Sequence, residues 1–312
     1  MNRRASPQVS LIVATVERVA HVDALFDSLS RQTWRDFDVV VVDQNDDDRL
    51  APVVARHADL LDITRIRSPR GLSRSRNAGL AVARGAIVAF PDDDCRYRPE
   101  TLARVAEFFA TQPDARGLTC RAVAAAGERA PARFARRAHW LTRRTVWLGG
   151  MSCVIFLKAP LCAELGPFDE HLGLGASSPW IAAEESDYLA RAVGMGARIR
   201  YEPGIVVEHP GPSGVLIRAY ASRGAAYGRA FGYVMKRHDA GRLQVLALVL
   251  RACAGAVLGA LRGRMDLTRY HWAVARGRWR GWREGPCSAR AAQMPALAGA
   301  LVAEASAPEA AP

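Results

Sequence analysis

Between Val9 and Phe90 the apolar positions follow two alternating rhythms. Val9 to Ala14 is a short continuous apolar run, and Val22, Leu25, Phe26 and Leu29 then recur at helical spacing. Phe37 to Val42 is a second apolar run and Ile63 to Ile66 a third. Ser73 to Ala83 has a helical pattern, with Ser73 as its expected N-cap, and Ala86 to Phe90 is a fourth run. Short β-branched runs separated by helical segments predict a parallel sheet with helices on both faces. Such sheets bind ligands beyond the carboxyl ends of their strands. Three polar clusters stand at those ends: Thr15 to Arg18, Asp43 to Asn45, and Asp92 to Asp94.

The middle of the chain is less regular. Arg116 to Ala125, Cys153 to Leu157, Arg198 to Tyr201 and Ile205 to Val207 are expected strands, and Tyr188 to Val193 an expected helix. Gly127 to Thr145, rich in Arg and Ala, is expected as a mobile connection or lid. Beyond Pro212 the pattern changes to long helical stretches of Ala, Leu, Arg and Gly. The expected division is a catalytic domain over 1–212, with halves at about 8–115 and 116–212. A basic helical region over 213–290 and a disordered Ala-rich tail over 291–312 follow.

The formal net charge is +12, which favours acidic partners: phosphorylated substrates, anionic lipid or nucleic acid. The six cysteines are scattered without a C-x-x-C pair, as expected of reduced thiols. The start of the chain has no apolar stretch, so the catalytic part is expected in the cytoplasm.

The candidate chemistry centres on Pro91-Asp92-Asp93-Asp94. Three adjacent carboxylates repel one another unless a cation sits among them. Two carboxylates on a divalent metal leave positions open for phosphate oxygens. Asp43, closing its strand, can accept hydrogen bonds from a base or ribose. Ser73 to Gly79 opens a helix with Arg74 and Arg76, a combination that attracts a diphosphate. Glu184, Glu185 and Asp187 open another helix after a Gly/Ser loop and supply candidates for a general base. His209 ends a β-branched run and can complete a mixed oxygen and imidazole ligand set.

In this order the stretches Val9 to Thr15, Val39 to Asn45, Gly71 to Gly79, Phe90 to Cys95, Gly150 to Ser152, Gly166 to Glu170, Glu184 to Asp187 and Tyr201 to His209 resemble the family 2 glycosyltransferases. The resemblance covers about residues 8 to 210. It implies a GT-A fold, Rossmann-like, with a mostly parallel central sheet flanked by helices and, here, a C-terminal helical appendage. It implies inverting sugar transfer from a nucleotide-sugar donor to a hydroxyl of a glycan or lipid-linked acceptor, with Mn²⁺ or Mg²⁺. Thr15 and Glu17 would line the nucleotide pocket, Asp43 would contact the base, and Arg76 and Asn77 would border the donor. Asp92 and Asp94 match the Asp-x-Asp motif for ribose and metal, with Asp93 a neighbour. The family's Glu-Asp base motif falls on Glu184-Glu185, where the usual aspartate is a glutamate. The base therefore lies between Glu185, which holds the motif position, and Asp187.

Leu243 to Leu261 is nearly continuous and apolar, with Arg251 near its middle. A run rich in Trp, Tyr and Arg follows, up to Arg283. That composition suits a lipid headgroup layer, so 243–283 is expected as an in-plane or shallow anchor on an anionic membrane, at the inner face of the cell membrane. A helical appendage packed on the catalytic domain is the competing expectation. Nucleic acid is the less favoured partner, because no nucleic-acid module is visible. Two other functions compete: a sugar nucleotidyltransferase and a non-catalytic membrane-associated binding protein. The first is disfavoured by Thr15-Val16-Glu17-Arg18 standing where a Gly-rich loop belongs.

Overall fold

The computed structural model describes residues 7–124, 134–148, 150–210 and 214–286. The expected tail over 291–312 and the first part of the expected 127–145 connection lie outside them. The chain divides into two compact units, Met1–Ala219 and Tyr220–Pro312. The division falls inside a helix, Gly214–Arg237, and so lies a little beyond the composition change at Pro212.

The first unit is an α/β sandwich. Strands β1 (Val9–Thr15), β2 (Phe37–Asp43), β3 (Ile63–Arg67) and β4 (Ile87–Ala89) are joined through helices α1 (Val19–Ser30), α2 (Ala51–His57) and α3 (Leu72–Val82). Next come β5 (Arg96–Tyr97), α4 (Thr101–Thr111), β6 (Gly117–Val123) and β7 (His139–Trp140). The unit continues with β8 (Ile155–Lys158), α5 (Ala159–Leu165), α6 (Glu184–Gly194) and β9 (Ile199–Glu208). One nine-stranded sheet runs β3-β2-β1-β4-β8-β6-β9-β5, with β7 on β9. The first four strands are parallel, and β8 runs antiparallel to both of its neighbours.

The chain steps outward from β1 to β3 and then returns to place β4 on the other side of β1. The reversal opens a crevice at the carboxyl ends of β1 and β4, the standard ligand position in such sheets. The bridge Ala14↔Asp92 extends the β1–β4 pairing into the acidic turn. That pairing fixes the turn beside the loop that follows β1.

Three sequence expectations change. Cys153 and Val154 belong to a short 3₁₀ turn, Ser152–Val154, before β8, because Ser152 is drawn toward the acidic turn. The two expected strands around Pro203-Gly204 are one strand, β9, whose register on β6 slips there: Cys120 faces Glu202 and Arg121 faces Val206. Ser73 is not the cap of α3. Gly71, at φ 140°, precedes the helix, and Ser73 Oγ donates to the Leu172 carbonyl at 2.6 Å.

Helix α3 lies close on the sheet because Gly79 has no side chain. A Cβ there would sit 2.3 Å from Ile12 Cγ2, a methyl on a stiff β-branched side chain. Gly79→Ala is expected to cost about 1–3 kcal/mol of stability through overpacking. Denaturant unfolding with an unchanged midpoint would refute that packing.

The described part of the second unit has most of α7 (Gly214–Arg237), with α8 (Arg242–Leu261) and α9 (Met265–Glu284). Glycines bring α7 and α9 almost into backbone contact. A Cβ at Gly228 would meet the Val274 carbonyl at 2.5 Å, and one at Gly277 the Ala225 carbonyl at 2.3 Å. Helix α8 lies antiparallel along α9. Thr268 Oγ1 bonds the Ala256 carbonyl, Arg278 Nη1 the Leu248 carbonyl, and Trp282 Nε1 the Ala240 carbonyl.

Candidate active site

The acidic turn is held from three directions. Ser152 Oγ donates to Asp92 Oδ1 at 2.8 Å, and Thr15 Oγ1 donates to Asp93 Oδ2 at 2.8 Å. Arg18, from the loop after β1, spans two of the carboxylates: Nη1 lies 2.8 Å from Asp93 Oδ1 and Nη2 2.6 Å from Asp94 Oδ2. His209, at the end of β9, closes the other side. Its Nε2 is 3.4 Å from Asp94 Oδ1 and 3.7 Å from Asp92 Oδ2. Its Nδ1 lies 2.8 Å from the Pro210 carbonyl, which can only accept, so Nδ1 carries a proton. In neutral histidine the Nε2 lone pair then faces the carboxylates.

These carboxyls differ in how readily they ionise. Burial raises Asp92 above its ordinary value against the pull of Arg76 and His209. Burial likewise pushes Asp93 up to about 6, although Arg18 and Thr15 oppose it. Burial also disfavours the charge on Asp94, but His209 and Arg18 outweigh it and hold that group low.

The residues fit a hard divalent cation. Asp94 Oδ1 is buried and makes no hydrogen bond, and Asp92 Oδ2 and His209 Nε2 converge on the same space. The Cys95 sulfur lies within 4.8 Å of the Asp94 and His209 donor atoms. Burial and a hydrogen bond with Cys153 hold that thiol protonated. The remaining donors, two carboxylates and an imidazole, suit Mn²⁺ or Mg²⁺.

Arg76 connects this turn to α6. It is 2% exposed, with Nη1 2.8 Å from Glu184 Oε1 and Nη2 3.5 Å from Asp92 Oδ1. Its guanidinium also covers the Phe168 ring. Arg76 is thus committed to two carboxylates and offers almost no surface to the crevice. At the expected anion site at the start of α3, the Leu72 amide is already taken, donating to the Leu174 carbonyl at 2.8 Å. The Asn77 amide bonds both backbone groups of Phe168. Arg74 pairs with Glu170.

The three acidic residues of α6 separate by partner. Glu184 is paired with Arg76. Asp187 is buried against Arg191, which also donates to the Leu165 and Pro167 carbonyls. Glu185 has no ion-pair partner among the described residues, and part of its surface is open. Burial and the neighbouring Glu184 raise its pKa to about 8, against Arg76. Left-handed Ala183 (φ 72°) leads into this helix, and Gly173 and Gly175, at φ 98° and 78°, shape the preceding loop. A Cβ at Gly173 would press on Glu184 Oε2 and Ser73 Oγ at 3.2 Å.

On the other side of the crevice Asp43 is fully buried. Its Oδ1 takes the Asn45 amide groups and its Oδ2 takes Arg65. Arg67 stands 3.4 Å away, so a base reaches Asp43 only if these arginines move. Glu17, in the left-handed region at φ 61°, is exposed and pairs with Arg70. Thr15 is turned inward to Asp93 and does not line open space. Sequence reasoning did not assign roles to Arg18 or Ser152. Their only local signals were their places in the Thr15–Arg18 cluster and the Gly150–Ser152 stretch.

Residues 10–148 match the family model for glycosyl transferase family 2. This segment, a little under half of the chain, is similar to the family 2 glycosyltransferases. A glycosyltransferase of Haemophilus influenzae is 33% identical over 108 residues, 34% of this chain and 36% of that protein. A PGL/p-HBAD biosynthesis glycosyltransferase of Mycobacterium tuberculosis is 34% identical over 108 residues, 33% of this chain and 42% of that protein. The match thus spans well under half the length of either relative. The mannosyltransferase PcManGT of Pyrobaculum calidifontis, solved with GDP-Man and Mn²⁺, superposes with a TM-score of 0.61 at 20% identity. That superposition covers 88% of each chain. The fold is GT-A: a mostly parallel central sheet flanked by helices, as in this neighbour.

Proposed function

We propose that this protein transfers a sugar from a nucleotide-sugar donor to a hydroxyl of a glycan or lipid-linked acceptor, with inversion at the anomeric carbon. The observation that carries the reading is the division of α6. Glu184 is neutralised by Arg76, Asp187 by Arg191, and Glu185 is left with a pKa raised to about 8. A carboxyl that titrates near the working pH is suited to general-base catalysis.

In this reading Asp92, Asp94 and His209 hold Mn²⁺ or Mg²⁺. When bound, the cation neutralises charge on the leaving diphosphate. Arg18 and Ser152 fix the two aspartates in place. The Glu185 carboxylate takes the proton of the acceptor hydroxyl. The acceptor oxygen forms its bond to the anomeric carbon from the face opposite the diphosphate, which departs with the electron pair of the broken C–O bond. Holding both substrates in line supplies about 7–11 kcal/mol of barrier lowering. A nucleotidyltransferase reading gains nothing from the loop after β1, whose Arg18 is committed to Asp93 and Asp94.

Thermal denaturation with UDP-, GDP- and dTDP-sugars, with and without Mn²⁺, tests the donor assignment. At 100 times its dissociation constant the true donor stabilises by about 2.7 kcal/mol, a rise of roughly 5–10 °C. The rise is expected for one nucleotide and to depend on Mn²⁺. No shift with any nucleotide would sink the reading.

A further inference from the structure

The second unit carries a two-part surface that the active site does not use. Helix α8 is 20 residues long, about 30 Å, and its apolar residues are not all buried. Val245, Leu248, Ala252, Ala256 and Gly259 are buried on one side. Leu243, Leu246, Leu250, Val257, Leu258 and Leu261 are exposed on the other, with Leu243 84% and Leu261 79% exposed. Arg251, which in the sequence interrupts the apolar run, is exposed at the flank of this stripe, at helical spacing from it. Arg242 and Arg262 stand exposed at its two ends.

Helix α9 has a different exposed side. Arg269, Trp272, Arg276, Trp279 and Arg283 recur at steps of three and four and are all exposed. Interleaved arginine and tryptophan match a layer with anionic headgroups outside and acyl chains beneath.

The packing decides between crossing a bilayer and lying on it. By length and composition α8 alone could span a membrane. But α9 runs antiparallel along it, tied from Ala240–Trp282 through Leu248–Arg278 to Ala256–Thr268. A transmembrane α8 would carry the exposed arginines of α9 into hydrocarbon, where charges are strongly disfavoured. We propose that the Tyr220–Pro312 unit docks in the plane of an anionic lipid bilayer. The apolar side of α8 lies at the headgroup–acyl boundary and the Arg/Trp side of α9 among the headgroups. This docking stands independently of the sugar-transfer reading.

The test is flotation of the full chain with phosphatidylcholine vesicles, with and without phosphatidylglycerol, at low and high salt. Binding is expected only with phosphatidylglycerol, and high salt should release it. The triple variant Arg269→Gln, Arg276→Gln, Arg283→Gln should partition roughly a hundredfold more weakly. Leu243→Ser, Leu250→Ser, Leu261→Ser should weaken binding at least about tenfold. All six positions are exposed, so unchanged melting curves are expected for both variants. Brominated lipids should quench the tryptophan emission, and much of that quenching should vanish in Trp272→Phe, Trp279→Phe. Four outcomes overturn the proposal: no vesicle binding, binding that survives high salt and alkaline carbonate as a span would, an apolar face that instead mediates self-association, or arginines that bind nucleic acid but not lipid.

Discussion

Asp94→Asn is expected to lower donor-dependent transfer by about three orders of magnitude. Asp94 supplies a buried oxygen without a hydrogen bond, facing His209 across the space that Asp92 also borders. A metal ligand at a developing diphosphate charge is worth several kcal/mol, and each ~1.4 kcal/mol is a factor of ten in rate. Fold stability should change little. The amide oxygen can still accept from Arg18, and one of three neighbouring negative charges disappears. Titration with Mn²⁺ without any substrate separates the roles: the variant should lose the binding seen in the parent chain. A variant that binds Mn²⁺ normally and turns over at the parent rate would remove Asp94 from the site.

Glu185→Gln is expected to lower transfer by about 10²–10⁴-fold while the donor-induced rise in melting temperature persists. Its pH dependence gives a second reading. In the free protein burial and Glu184 hold Glu185 protonated up to about pH 8, and the base must be deprotonated to act. kcat/KM should therefore rise with pH and level off above about 8. Glu184→Gln removes the like charge and releases Arg76 toward Glu185, and both changes favour the carboxylate. The midpoint should move to lower pH. Losing the buried Arg76–Glu184 pair also costs stability, but a smaller folded fraction scales the profile without moving its midpoint. An unmoved midpoint would exclude Glu185 as the titrating group. The parallel variant Asp187→Asn should act on stability rather than on the profile, because Asp187 is committed to Arg191.

The sequence by itself determined most of the longer elements and their order. A period of two or a continuous apolar run is a local property, and so is the three-to-four spacing of Val22, Leu25, Phe26 and Leu29. Each registers burial of one face or of both, so β1 to β4, α1, α3 and α6 were legible within a few residues. The acidic turn and the Glu184-Glu185 pair were legible for the same reason, as clusters at predicted element ends. Helices α2 and α4 were not read from the pattern, although Leu102, Val105, Ala106 and Phe109 give α4 a helically spaced buried face.

Only the tertiary structure decided what those clusters hold. Arg18 reaches Asp93 and Asp94, Ser152 reaches Asp92, and Arg76 chooses Glu184 over Glu185, all across long stretches of chain. Such pairs leave no periodicity, because side chains brought together by sheet pairing share no local constraint. The contact at the start of α3 is equally non-local, since its first amide is satisfied by Leu174 from a loop about 100 residues away in sequence. In the second unit the sequence showed an apolar run with an arginine inside it. The antiparallel packing of α9 on α8 then separated the buried side from the exposed one and left Arg251 at the edge. Composition sets how much apolar surface a helix has, and packing alone sets which side of it remains for a partner.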